Sequence, residues 1–128
     1  MESFELTLDA RPESLSVVRH VLGALPASWT VDPETFDDVL VAVNEACSNV
    51  VIHAYPGQDG LMEVRGQVDG VRLHVAVTDR GDGIAHDDET DDHGVGLALI
   101  ETLSDQVVID RLADGRHEVR MTFVSSDG

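Results

Sequence analysis

Val43-Asn44-Glu45-Ala46-Cys47-Ser48-Asn49-Val50-Val51-Ile52-His53-Ala54-Tyr55 closes an amphipathic run that begins at Asp32-Pro33-Glu34. The apolar residues Phe36, Val39, Leu40, Val43, Ala46, Cys47 and Val50 recur at helical spacing. Asp32 before proline is an N-cap with proline at the first helical position. The pattern predicts one long helix ending around Tyr55-Pro56-Gly57. Glu45, Asn49 and His53 are four residues apart and form one polar line on an otherwise apolar helix. A half-buried carboxylate or amide without a partner costs about 1–3 kcal/mol. A carboxamide oxygen can ligate Mg²⁺, which takes hard oxygen ligands and completes its shell with phosphates and water. A carboxylate one turn away can take a proton from an attacking hydroxyl. A helix with its polar stripe in water gives the same pattern, so this stretch alone leaves both readings open.

Upstream, Ser3 to Leu8 alternates Phe4, Leu6 and Leu8 with polar residues, a strand signal. Pro12 opens a second helical stretch, with Leu15, Val18, Val21, Leu22 and Leu25 on one face, ending near Pro26. Downstream, strand patterns over Leu61 to Val68 and Val71 to Thr78 flank Asp69-Gly70, a hairpin turn signal. After a glycine-rich loop from Asp79 and an acidic stretch over Ala85 to His93, a helix is expected from Leu97 to about Leu103. Strands Gln106 to Arg111 and His117 to Val124 flank a turn at Asp114-Gly115. Hairpins with a few amphipathic helices predict an α+β fold, a mostly antiparallel sheet covered on one face by helices.

Two further motifs can carry chemistry. In Val77-Thr78-Asp79-Arg80-Gly81-Asp82-Gly83-Ile84 a strand ends in an aspartate, and alternate glycines let the backbone turn and approach a ligand. Ionised Asp79 can accept a hydrogen bond from an exocyclic amine such as adenine presents; an ordinary turn after a strand looks the same. In His93-Gly94-Val95-Gly96-Leu97-Ala98-Leu99-Ile100 glycines before a helix would aim free N–H groups and the positive helix end at an anion, although glycine also serves as a plain N-cap.

Composition narrows the function classes. The 128 residues, 42% apolar and 26% charged, suit one soluble domain. Twenty-five acids against eight bases give a net charge of −17, and every base is arginine. A field of that sign repels nucleic acid and anionic membranes, so neither is expected as a partner. The acids are spread along the chain, as on a solvated surface. The absence of lysine excludes the phosphate-binding loop that depends on one. No apolar run is long enough to span a bilayer, and the acidic start lacks a secretory signal, so a cytoplasmic location is expected. The single Cys47 reads as a small buried thiol.

Taken in order, helix Glu45-x-x-x-Asn49, strand-end Asp79-x-Gly81-x-Gly83, and Gly94-x-Gly96-Leu97 resemble the three nucleotide boxes of the GHKL ATPase superfamily. The resemblance covers nearly the whole chain. It implies the Bergerat ATP-binding fold, a two-layer α/β sandwich with a mostly antiparallel mixed sheet, as one domain over residues 1–128. It implies ATP and Mg²⁺ as cofactors, Asn49 as the Mg²⁺ ligand and Glu45 as general base. Asp79 would bind adenine, with Gly81, Gly83 and Ile84 shaping its pocket, while Gly94, Val95, Gly96 and Leu97 border the phosphates.

The wording Glu45-Ala46-x-x-Asn49 followed by His53-x-Tyr55 is similar to the anti-sigma-factor serine kinases. That branch implies a protein serine kinase that binds a sigma factor and phosphorylates a STAS-type anti-anti-sigma antagonist, with a homodimer expected. A non-catalytic ATP-binding module that holds its partner is the alternative, and a detached histidine-kinase catalytic domain is a further one. Glu45 favours the enzyme. The lid over Ala85 to His93, with five acids and no arginine or lysine, favours the binding module. In the last hairpin the branch often places threonine near adenine, where this register places His117.

Overall fold

The computed structural model describes residues 3–27, 29–81 and 91–125, with residues 91–95 as helical backbone. The elements are β1 (Ser3–Asp9), α1 (Ser14–Leu22), a 3₁₀ turn (Leu25–Ala27), α2 (Pro33–Asn49), a π-helical turn (Val50–Ala54), β2 (Leu61–Asp69), β3 (Arg72–Asp79), α3 (Asp91–Leu103), β4 (Gln106–Arg111) and β5 (His117–Val124). Strand order is β1-β2-β3-β5-β4. All four pairings are antiparallel, so the expected mixed sheet is fully antiparallel among the described residues. β3 and β4 point the same way with β5 between them, and a same-direction connection cannot be a hairpin. α3 makes that crossover.

Both hairpins turn where Asp-Gly pairs stand, with Gly70 at φ 64° and Gly115 at φ 91°, the left-handed backbone that glycine adopts without a Cβ clash. Asp32 caps α2, its Oδ2 accepting the Thr35 N–H at 3.0 Å. One sheet face carries Met62, Val64, Leu73, Val75, Val77, Val119, Met121 and Phe123, all buried. Against it lie Val39, Ala42, Val43, Ala46 and Cys47 of α2, with Val18 and Leu22 of α1 and Ile100 of α3. Trp29, 1% exposed, donates from Nε1 to the Val71 carbonyl at 3.2 Å. The opposite face is polar; there Glu118 accepts from Arg65 at 2.7 Å and from Thr78 at 3.2 Å.

Two boundaries differ from the sequence reading. The long helix stays α-helical only to Asn49 and then widens into the π turn. His53, the third member of the expected polar line, falls inside that π turn rather than in α2. α3 begins at Asp91, six residues before the expected Leu97. Glycine costs about 1 kcal/mol in a helix, too little to stop one whose later turns pack on α2.

Burial pushes the Cys47 thiol from 9.0 up to about 12. Above pH 9 the unfolded thiol ionises while the folded one keeps its proton. Stability from this group is therefore full below pH 9 and falls between pH 9 and pH 12, by up to about 1.4 kcal/mol per pH unit. At pH 8 the folded thiol should alkylate roughly a thousandfold more slowly than in urea, following its smaller thiolate fraction. Equal rates would show that Cys47 is accessible.

Candidate functional site

The last α-helical turns of α2 carry Glu45, half-buried, and Asn49, 3% exposed. Their neighbours Ala42, Val43, Ala46 and Cys47 are buried in the core, which fixes the rotation of the helix and leaves the carboxylate and amide on its α3 side. Gly96 meets them there. A Cβ on Gly96 would lie 2.9 Å from Glu45 Oε2, 3.1 Å from Asn49 Nδ2 and 3.3 Å from Asn49 Oδ1. One point in space thus touches both side chains, and a Cβ there would displace their ends. Buried Asn49 Nδ2 has no hydrogen-bond partner among the described residues.

The end of β3 is tied to the same helix end. Asp79, 5% exposed, accepts the Gly81 N–H on Oδ1 at 2.9 Å, an aspartate-initiated turn. A Cβ on Gly81 would be driven into the Ala54 carbonyl and reach 3.0 Å from the Tyr55 ring. The Tyr55 hydroxyl accepts the Arg80 N–H at 2.9 Å and donates to the Leu61 carbonyl. One side chain thereby joins the π turn to β2 and to the strand-end motif.

Across the sheet, Asp79 pairs with His117 and His117 with Arg111. His117, 8% exposed, has Nδ1 3.6 Å from Asp79 Oδ1. Its Nε2 receives the Arg111 guanidinium at 3.1 and 3.3 Å. Val50, Asp79, Ile109, Arg111 and His117 line a cavity of about 80 Å³. Val50 follows Asn49 in the chain, so this cavity begins one residue from the carboxylate–amide pair.

Of the expected site residues, Glu45, Asn49 and Gly96 come together at the α2–α3 contact. Asp79 and Gly81 come together at the end of the π turn. Leu97 is half-buried against the core. Gly83 and Ile84 lie outside the described residues, as does the expected lid up to residue 90. Gly94, Val95, Gly96 and Leu97 stand inside α3 rather than before it. Only the first four N–H groups of a helix lack intrahelical partners, so Gly96 acts through close approach and not through a free N–H. His117 was noted in the sequence only as standing where the branch often has threonine near adenine, whereas Arg111 was missing as a site residue and Tyr55 as a tie. What the sequence did not show is that His117 faces Asp79 across the β3–β5 ladder.

The arrangement has distinct chemical capacities. An orphaned amide beside a carboxylate, at a point where a Cβ would sit, suits a metal-bound phosphate: the amide offers Nδ2–H to a phosphate oxygen, or, turned over, its oxygen to Mg²⁺. The residues therefore fit Mg²⁺. Among the described residues no cluster of three or more histidine, cysteine or acidic side chains could hold a metal by itself, so phosphates and water would complete the shell. Asp79 offers a buried acceptor in an apolar-walled cavity.

A family model described as histidine kinase-like ATPase domain matches residues 8–123. The serine-protein kinase RsbW of Bacillus velezensis is 32% identical over 125 residues, spanning 85% of this chain and 78% of the relative. The anti-sigma F factor of Thermoanaerobacter pseudethanolicus is 26% identical over 135 residues, spanning 96% and 94%. Among solved structures, the RsbU and RsbW domains of a Mycobacterium tuberculosis protein superpose with a TM-score of 0.77 at 26% identity. That match covers 98% of this chain and a third, 33%, of the other.

Gly81→Ala and Gly96→Ala should behave oppositely. At Gly81 the obstacle is backbone, and the loss should be about 1–3 kcal/mol. At Gly96 the obstacles are side-chain ends, and alanine gains up to about 1 kcal/mol of helix propensity. Gly96→Ala should therefore fold at least as well as the wild type in urea titrations, yet displace Glu45 and Asn49. Equal destabilisation by both variants would contradict the geometry.

Proposed function

The chain belongs to the histidine kinase-like ATPase domain family, and on that premise we propose that it is an ATP-dependent protein serine kinase and anti-sigma factor. In this reading it binds a sigma factor and phosphorylates a serine on a STAS-type anti-anti-sigma protein. The unphosphorylated antagonist frees the sigma factor, and its phosphorylation returns the kinase to it. The observation that carries the reading is the contact of Gly96 with both Glu45 and Asn49, one residue from the cavity that holds Asp79. The serine-protein kinase and anti-sigma names of the relatives support it.

Each residue has one task. Asp79 accepts the exocyclic amine of adenine, and Gly81 keeps that strand end against α2. Asn49 holds Mg²⁺ or a phosphate oxygen; Mg²⁺, when bound, neutralises charge on the phosphates. Glu45 takes the proton of the substrate serine hydroxyl as its oxygen bonds to the γ-phosphorus. The bond to the bridging oxygen breaks, and ADP leaves with that electron pair. The acidic segment 87–92 favours a second reading, a module that binds ATP and holds its partner without phosphorylating it.

Calorimetry with millimolar Mg²⁺ should show ATP binding to the wild type. Asp79→Asn should weaken it by about 1.5–3 kcal/mol, since a charge-assisted acceptor becomes an amide. Absence of binding to ATP and ADP by the wild type would sink the nucleotide reading. With labelled ATP and a STAS-domain protein, Asn49→Ala should impair binding and transfer together. Glu45→Ala should spare binding and slow transfer by roughly 10²–10⁴-fold. Wild-type transfer by Glu45→Ala would remove the base assignment. Binding without transfer by the wild type to any STAS partner would establish the second reading.

A further inference from the structure

Tyr55, the single tyrosine of the chain, follows the π turn and is wedged between two glycines. A Cβ on Gly60 would fall into its ring, and one on Gly81 would lie 3.0 Å from it. Gly60 is itself anchored, its carbonyl accepting the Ala10 N–H at 2.9 Å. With the ring held, the hydroxyl is held too, since it lies on the axis about which the ring turns. An amide N–H can only donate. The hydroxyl therefore accepts from Arg80 at 2.9 Å and gives its own proton to the Leu61 carbonyl. The β2–β3 ladder ends with Met62 opposite Asp79, so the next rung would join Leu61 to Arg80. There the hydroxyl bridges the two backbones, one residue beyond the last paired position.

We propose that Tyr55 is a positioning residue for the base end of the nucleotide: by bridging Leu61 and Arg80, its hydroxyl holds the Asp79–Gly81 turn where the Asp79 carboxylate meets the amino group of adenine. The inference rests on the nucleotide reading above. Asp79 Oδ1 accepts the Gly81 N–H at 2.9 Å, so the direction of its second oxygen follows from where Gly81 stands. Gly81 is placed by its contact with Ala54 and by the bond on Arg80 beside it. Hydrogen bonds weaken steeply when misaligned, so a turn that swings loses the amine even though the aspartate remains. Tyr55 acts through Asp79 and is not assigned any contact with the ligand.

The test compares ATP with purine riboside triphosphate, which is ATP without its amino group, in calorimetric titrations of the full chain with Mg²⁺. The wild type should prefer ATP by roughly tenfold or more. Tyr55→Phe keeps the ring between the glycines and loses both bonds, and its preference for ATP should fall to about threefold or less. Adding Tyr55→Phe to Asp79→Asn should lower ATP affinity no further than Asp79→Asn alone, because the two residues act as one unit. A tyrosine that only stabilised the fold would weaken both triphosphates alike and add its loss to that of Asp79→Asn; either result would overturn the inference. So would equal binding of the two triphosphates by the wild type. Should Tyr55→Phe fail to fold, hydrogen exchange of the Arg80 amide in the wild type decides the matter. That amide should be protected and become more so with ATP, and exchange at the rate of an unstructured peptide, or unchanged by ATP, would overturn the inference. Failure of the wild type to bind ATP at all is a separate result and removes the nucleotide reading itself.

Discussion

Two glycines let neighbouring backbones come close to the end of α2 and to the π turn that follows it, and the other features of the site follow from that. Gly96 brings α3 onto Glu45 and Asn49, and Gly81 brings the end of β3 under Ala54 and Tyr55. Close packing makes such contacts discrete, since a methylene of misfit is felt immediately. The helix end is therefore held from two sides, with Tyr55 bonded to Arg80 and Leu61 as a third tie. Glycine in α3 sacrifices helix propensity, which the burial of Ile100 further along the helix offsets.

Charge then limits how an anion can be held. Arg65 and Arg120 are engaged with Glu118 on the sheet face away from the helices, Arg11 with Asp59, and Arg116 with Asp114. Arg19 donates to Asn44 and Arg111 to His117. Six of the eight arginines thus have partners away from the Glu45–Asn49 pair. In a chain of net charge −17, a triphosphate bound there would depend on a metal ion and on polar hydrogen atoms more than on basic side chains. The exposed pairs themselves add little stability.

Features set by local chemistry were legible in the sequence. Asp32-Pro33 starts α2, and Asp-Gly turns both hairpins, because capping and positive φ are decided within a few residues. The Glu45–Asn49 spacing was legible for the same reason. The π turn was not: its apolar residues repeat as an α-helix would, and hydrophobic period does not separate i→i+4 from i→i+5 closure. The start of α3 was read too late because two glycines were taken as a boundary, whereas packing on α2 outweighs their cost. His117 was singled out only through the resemblance, and its pairing with Asp79 needed the strand register. Only once β3 and β5 are aligned does the first residue of one strand face the last residue of the other.

Among the described residues, four buried side-chain atoms lack a hydrogen-bond partner, and two of them, Asn49 Nδ2 and His117 Nδ1, belong to this site. One stands at the α2–α3 contact and the other in the wall of the small cavity that begins at Val50. A core of this size could have buried apolar residues at both positions at lower cost, since each unsatisfied group forfeits about 1–3 kcal/mol. The protein instead carries the penalty where the carboxylates of Glu45 and Asp79 also lie. A ligand that accepted from both atoms would lift that penalty. Its binding free energy would then include relief of that desolvation cost, and it would stabilise the fold through linkage as well as through its own contacts. The same accounting separates the site from the polar sheet face, where Glu118 is already paired within the protein and asks nothing of a ligand.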